Sequence, residues 1–256
     1  KAANYSLHPP KLMIFEDSQH VKMRGVHLRQ SGQITIELMN VQHGLIENTN
    51  INNSWFDGPD KVHGWSPNTD GIDPGAGSAH IVIRNVTIQN GDDCVSVKAG
   101  KAELGCTHDI LVEDSRFING FGAVIGSMAY NSGCVRDVVF RNIELDSTMY
   151  GINIKTWNGS SEWNTTFLTN ATFEDMRIKK TGTFPIVLSQ YYGLGSCGHK
   201  EPASVYPAGK CTEPCMDDDK LPCWKKWFFC EGERTTTKLL KPQSLMGIYY
   251  APWKPP

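Results

Sequence analysis

The chain of 256 residues carries a net charge of -2 and is 39% hydrophobic. That composition can fill a sizeable core and lacks the basic excess that nucleic acid binding demands. No apolar run approaches the ~18 residues of a membrane-spanning helix, and the opening KAANYSLHPP has none of the zones of a signal peptide. The expectation is a soluble monomer with neither nucleic acid nor membrane as partner.

In chain order, the first elements are short strand-like segments, HVKMRGVHL (20–28) and GLIENTNIN (44–52), followed by the turn-rich NTDGID (68–73). Three clearer units come next. IVIRNVTIQNGDDCVSVK from Ile81, ILVEDSRFINGFGAVIGS from Ile110 and VVFRNIELDSTMYGINIK from Val138 align at steps of 29 and 28 residues, and ATFEDMRIKK (171–180) with FPIVLS (184–189) is a weaker copy. Each unit has a β-branched strand, a second alternating segment, a turn with Gly or Asn, and a third strand. Several short strands per period, with no helical 3.6 pattern, predict an all-β solenoid, a parallel β-helix. A β-sandwich also has short, turn-bounded strands, but it does not need its repeats to stay in register, and these do.

In a solenoid, equivalent residues of successive coils stack about 4.8 Å apart. The alignment therefore predicts an inward ladder in which Val95 and Val97 meet Val124 and Gly126, then Ile152 and Ile154. Ser96 with Lys98, Ile125 with Ser127, and Asn153 with Lys155 form the outward set. Cys106 and Cys134 each stand four residues before the first strand of their coil, so a disulfide between them is expected. Laying NTDGID on GDDCVS (91–96) puts Asp70 next to Asp93 with Asp92 beside both. Three carboxylates at one address raise at least one pKa, which pairs an acid with a base. An isolated DG or DD more often marks a plain turn; two such motifs stacked together point to chemistry.

After FPIVLSQYY the strand periodicity fades. Five cysteines fall between Cys197 and Cys230, around CMDDDKLPCWKKWFFC, which predicts a disulfide-stapled excursion with little core of its own. Five cannot all pair locally, so one either reaches back to Cys94 or stays free. Asp217, Asp218 and Asp219 read as a solvated turn, and WKKWFF as packing beneath the cap. The predicted organisation is a β-helix domain over 1–195 and a Cys-rich segment over 196–256 that rejoins the solenoid near 244–252. Eight cysteines without metal-type spacing, together with sequons at Asn4, Asn52, Asn85, Asn158, Asn164 and Asn170, favour a secreted, disulfide-bonded glycoprotein over a zinc protein. No metal and no cofactor is expected.

NTDGID, NGDDC, GFGAVIGS and INIK, in this order and spacing, resemble the four signature segments of the polygalacturonase family of glycoside hydrolases. The resemblance covers roughly residues 9 to 190. It implies a pectin-lyase-like, right-handed parallel β-helix, with N-terminal coils preceding the present sequence, and an extracellular, cell-wall glycosidase whose partner is a pectic polysaccharide. Carried over by motif, it implies that Asp92 is the general acid and that Asp70 and Asp93 hold and deprotonate the attacking water, with inversion. Asn68, Phe121, Gly122, Asn153 and Lys155 are the implied substrate-binding residues, Lys155 being the one that meets a substrate carboxylate.

Two positions depart from the family pattern. The usual Gly-His-Gly is Gly120-Phe121-Gly122, and Arg-Ile-Lys is Asn153-Ile154-Lys155. Phenylalanine offers only an apolar or stacking surface, and asparagine replaces a bidentate carboxylate clamp by neutral hydrogen bonds. Three readings follow: a polygalacturonase with altered subsites, a rhamnogalacturonan hydrolase, or a non-catalytic pectin-binding relative. The rhamnogalacturonan branch also lacks that histidine and arginine, although it tends to have Asp-Glu where this chain has Asp92-Asp93. Retention of all three acids favours an enzyme.

Overall fold

The computed structural model describes residues 9–53, 68–100, 102–128, 133–157 and 166–192. The strands follow one another coil by coil. The early coils are β1 (Met13–Glu16), β2 (Lys22–Arg24) and β3 (His27–Arg29); β4 (Ile36–Met39), β5 (Gln42–Glu47) and β6 (Asn50–Asn52); and β7 (Ile72–Gly75), β8 (Ala79–Arg84) and β9 (Thr87–Gln89). Then come β10 (Val95–Val97) with β11 (Thr107–Ile118), β12 (Ala123–Met128) with β13 (Val135–Asp146), β14 (Ile152–Trp157) with β15 (Leu168–Lys179), and β16 (Ile186–Tyr192). In the later coils the first two predicted strands have fused into one long bent strand.

All the pairings between these strands are parallel. One sheet runs β1-β4-β7-β10-β12-β14-β16; the other runs through β2, β5, β8 and β11, with β9 also pairing β11 and leading on through β6 to β3, and with β13 and β15 continuing from β11. The chain is therefore the parallel β-helix that its repeats predict. The bends recur at fixed addresses. Asn48, Asn85, Asp114, Asn142 and Asp175 stand at one corner with φ between 49° and 53°. Asn and Asp tolerate this left-handed conformation better than other side-chain-bearing residues, which explains their recurrence in the repeat. At another corner stand His20, His43 and His80, then Asp109, Asp137 and Asn170, all with positive φ. The three imidazoles stack, with centroids 5.1 and 4.7 Å apart, His80 Nδ1 contacts Asp109, and Asn170 Nδ2 donates to Asp137 Oδ1 at 2.6 Å.

The core lies between the two sheets. Ile36, Ile72, Val95, Ala123 and Ile152 form one inward ladder, and Phe117 and Phe140 are fully buried across from it. This corrects the predicted register. Val95 pairs with Ala123, not Val124, and Val97 pairs with Ile125, not Gly126. Ile125 is accordingly in the core rather than on the outer face. The turn of four residues (119–122) before β12 is one shorter than the five-residue turns before β10 and β14. Because side chains alternate with period two, one residue exchanges the faces. Cys106 and Cys134 form a disulfide at the leading ends of β11 and β13, with Cα atoms 4.4 Å apart. Cys94 is buried and has no disulfide partner among the described residues; the cysteines expected to reach back to it lie outside them. The Cys-rich segment, Asp217 to Asp219, WKKWFF, the return near 244–252, and the sequons at Asn4, Asn158 and Asn164 lie outside the described residues.

Candidate active site

Asp70 lies just before β7, and Asp92 and Asp93 lie in the turn before β10. Two backbone bonds align them: Gly71 N donates to Asp93 O at 2.9 Å and Ile72 N to Cys94 O at 3.1 Å. A Cβ on Gly71 would stand 2.3 Å from Cys94 O, so only glycine permits this approach. The acidic turn is braced from beneath, where Asn90 Nδ2 donates to Asp93 O at 2.7 Å and to Thr69 O at 3.0 Å. Asp92 accepts from Asn68 N at 2.6 Å and from Asp93 N at 2.9 Å, and its carbonyl accepts from Phe121 N at 2.7 Å. One oxygen from each of the three acids lies within 4.8 Å of the others.

The acids differ in surroundings. Asp70 and Asp93 are 4% and 2% exposed, whereas Asp92 is half-buried. Lys155 Nζ donates to both oxygens of Asp93, at 3.0 and 2.8 Å, and Ser96 Oγ lies 3.0 Å from Asp93 Oδ2. Lys98 Nζ stands 2.9 Å from Asp70 Oδ2 and 2.7 Å from Asp73 Oδ2. Among the described residues no ammonium or guanidinium comes within ion-pair distance of Asp92.

These contacts order the protons. Burial, then the charges of Asp93 and Asp70, pushes the Asp92 carboxyl up to about 7, against the opposing Asn68 amide. Burial also raises Asp93, opposed by Lys155, and burial with the Asp70 charge raises Asp73 well above the usual carboxylate range. Burial alone would lower Lys98, but the carboxylates of Asp73 and Asp70 reverse this and raise it. The Cys94 thiol is pushed up by burial, so it stays protonated and unreactive. Three carboxylates this close are also a minimal set for a divalent cation, but ammonium groups on Asp70 and Asp93 already supply positive charge there.

The other predicted site residues surround the acids. Phe121 meets Tyr150 edge to face, with centroids 5.8 Å apart. Gly122 has φ +86°, and a Cβ there would stand 2.3 and 2.4 Å from the carbonyls of Tyr150 and Gly151. Asn153 is buried in the row Ser96, Val124, Asn153 on the outer face. Asn68 is exposed at the rim. Lys155 is 4% exposed, on the floor rather than at the surface. Sequence reasoning missed the pairing of Asp73 with Lys98 and the contact of Tyr150 with Phe121. A signal for the first was present, because NTDGID laid on GDDCVS sets Asp73 on Ser96, two positions from Lys98.

Residues 1–207 match the family model described as Glycosyl hydrolases family 28. A probable polygalacturonase of Arabidopsis thaliana is 29% identical over 188 residues, which is 73% of this chain and 37% of that protein. An alpha-L-rhamnosidase of Aspergillus niger is 28% identical over 160 residues, 61% of this chain and 34% of that one. The solved polygalacturonase of Erwinia carotovora superposes with a TM-score of 0.60 at 25% identity, over 72% of this chain and 44% of that chain. The chain thus spans less than half the length of the relatives it matches.

Proposed function

Because the chain belongs to glycosyl hydrolases family 28 and is therefore a glycosidase, we propose that it hydrolyses the α-1,4-galacturonosyl linkages of pectin outside the cell, with inversion and by aspartate acid/base chemistry. The observation that carries this reading is the unequal trio of acids. Asp92 is accessible, has no cationic partner among the described residues and is pushed up to about 7. It is suited to protonate the leaving glycosidic oxygen. Asp70 and Asp93 each carry an ammonium within 3.0 Å and are suited to deprotonate a water.

Burial supports water, rather than a carboxylate, as the nucleophile. At 4% and 2% exposure, Asp70 and Asp93 reach a small molecule more readily than the anomeric carbon of a polymer. A water hydrogen-bonded at ~2.8 Å to each can bridge two oxygens up to ~5.6 Å apart, and one oxygen from each acid lies within 4.8 Å of the others. The spacing of nearest oxygens is shorter than the ~6.5–9.5 Å between carboxyl groups usual in inverting glycosidases. The inverting reading therefore rests on the buried bases, and the product's configuration tests it directly.

Asn68 and Phe121 are the groups proposed to meet the sugars, while Gly122 and Asn153, both buried, are proposed to shape the turn and the row behind them. A second reading, a rhamnogalacturonan hydrolase with a neutral sugar in the leaving subsite, is favoured by Phe121 and by the burial of Asn153 and Lys155; the similarity to an alpha-L-rhamnosidase is in line with it. Incubation with polygalacturonate and rhamnogalacturonan in parallel, followed by proton NMR of the fresh product, decides between them. Turnover of polygalacturonate with inverted product, reduced about 100-fold or more in Asp92→Asn, is the expected result. Turnover of rhamnogalacturonan alone selects the second reading; binding to either polymer with no turnover means a pectin-binding relative. Retained configuration overturns the mechanism.

A further inference from the structure

Lys155 starts on β14, opposite Gly126 of β12, yet its ammonium group reaches Asp93, in the turn that leads into β10. It therefore crosses an entire coil, and Gly126, with no side chain, leaves that row clear. At the far end Nζ engages both oxygens of Asp93, and the two side chains are 6% and 3% exposed. An ammonium enclosed in this way presents almost no surface to an incoming sugar. The other charged groups facing Asp93 are Asp92 on the same turn, Asp70 and Asp73 on the preceding coil and, further off, Lys98. Ser96 Oγ lies 2.6 Å from Gly126 O and 3.0 Å from Asp93 Oδ2, so the hydroxyl adds to the same brace.

We infer that Lys155 is a positioning residue acting through Asp93, as the fixed counter-ion of that carboxylate, rather than a contact for a sugar carboxylate. This rests on the proposed roles of the acids. It assigns the second coil beyond the catalytic turn a part in the acid/base machinery, and it leaves recognition of any substrate carboxylate to other groups. The chemical logic is that a buried base must be ionised to accept a proton from water. Burial drives Asp93 toward its neutral form, and Lys155 is the largest influence opposing it.

The test compares wild type with Lys155→Met and Lys155→Gln. The measurements are kcat and KM across pH on whichever polymer wild type cleaves, and the titration of the Asp93 carboxyl carbon by NMR in the ligand-free protein. A counter-ion role predicts a fall in kcat of about 100-fold with KM changed less than about threefold. It also predicts an acid limb moved to higher pH by about one unit or more, with Asp93 titrating correspondingly higher. A KM raised about tenfold, with the acid limb and the Asp93 titration unmoved, overturns the inference in favour of direct substrate binding. Should neither variant fold, wild type decides alone: a charged Asp93 with a slowly exchanging Lys155 ammonium at neutral pH supports the pair, and a protonated Asp93 there overturns it. If wild type cleaves neither polymer, the proposed function fails, while the NMR titration still reads the pair.

Discussion

Asp92 carries a cost that its neighbours relieve only in part. Its carboxyl, at about 7 in the folded protein against 3.8 for an ordinary aspartate, binds a proton more tightly folded than unfolded. The stabilisation from this proton is fully present below about pH 4 and is lost as pH rises through 7. Burial raises Asp93 and Asp73 as well, so they act in the same direction. Wild-type stability should therefore fall between pH 4.5 and 7.5. In Asp92→Asn that fall should be smaller by on the order of 1–3 kcal/mol, as read from urea denaturation at the two pH values. In the active protein, deprotonation of the same group should put the basic limb of kcat/KM near pH 7, a limb that a pH profile on the cleaved polymer would locate. The address of the three acids was legible in the sequence because stacking two motifs needs only a repeat length. Their pairing with Lys98 and Lys155 was not, because which long side chain bends to which carboxylate is decided by burial across coils that a linear pattern does not encode.

At the scale of the element, the turns set the register. The repeats beginning at Ile81, Ile110 and Val138 pair as the alignment predicts, Ile110 with Ile81 and with Val138, since nothing intervenes to alter the count. The third strand of each coil comes after a turn, and the single residue missing from 119–122 moved Ile125 into the core. A fixed step of 29 cannot register that. The short turn is also where the backbone is most constrained. Gly122→Ala would add a methyl group 2.3 Å from a main-chain oxygen at φ +86°. It should cost about 2–4 kcal/mol, measurable as a lower urea midpoint with an unchanged slope. A smaller loss would mean that the turn between β11 and β12 can relax, and with it the amide of Phe121 that holds Asp92 O.

Across the whole molecule, each coil rests chiefly on its two neighbours, so stability is distributed along the axis rather than concentrated in one centre. Cys106–Cys134 is a covalent tie between adjacent coils, closing a loop over a sequence separation of 28. Its replacement by two serines should cost about 3 kcal/mol, measurable by denaturation of the double variant. The turn of Asp92 and Asp93 stands one coil earlier in the same stack. If the coils melt independently, activity should survive at denaturant concentrations that already open β1 to β3; if they melt together, both should vanish at one midpoint.

The stacked imidazoles of His20, His43 and His80 make that distinction observable. They lie on the coils of β2, β5 and β8, at a corner other than the one that carries Asp70, Asp92 and Asp93, and each ring sits in the shielding cone of the next. Their carbon-bound protons should therefore be displaced upfield from those of an isolated histidine for as long as the coils remain paired. The corner that the chain turns with a left-handed residue thus doubles as a built-in spectroscopic gauge of the early solenoid, readable without a label and without disturbing the acids.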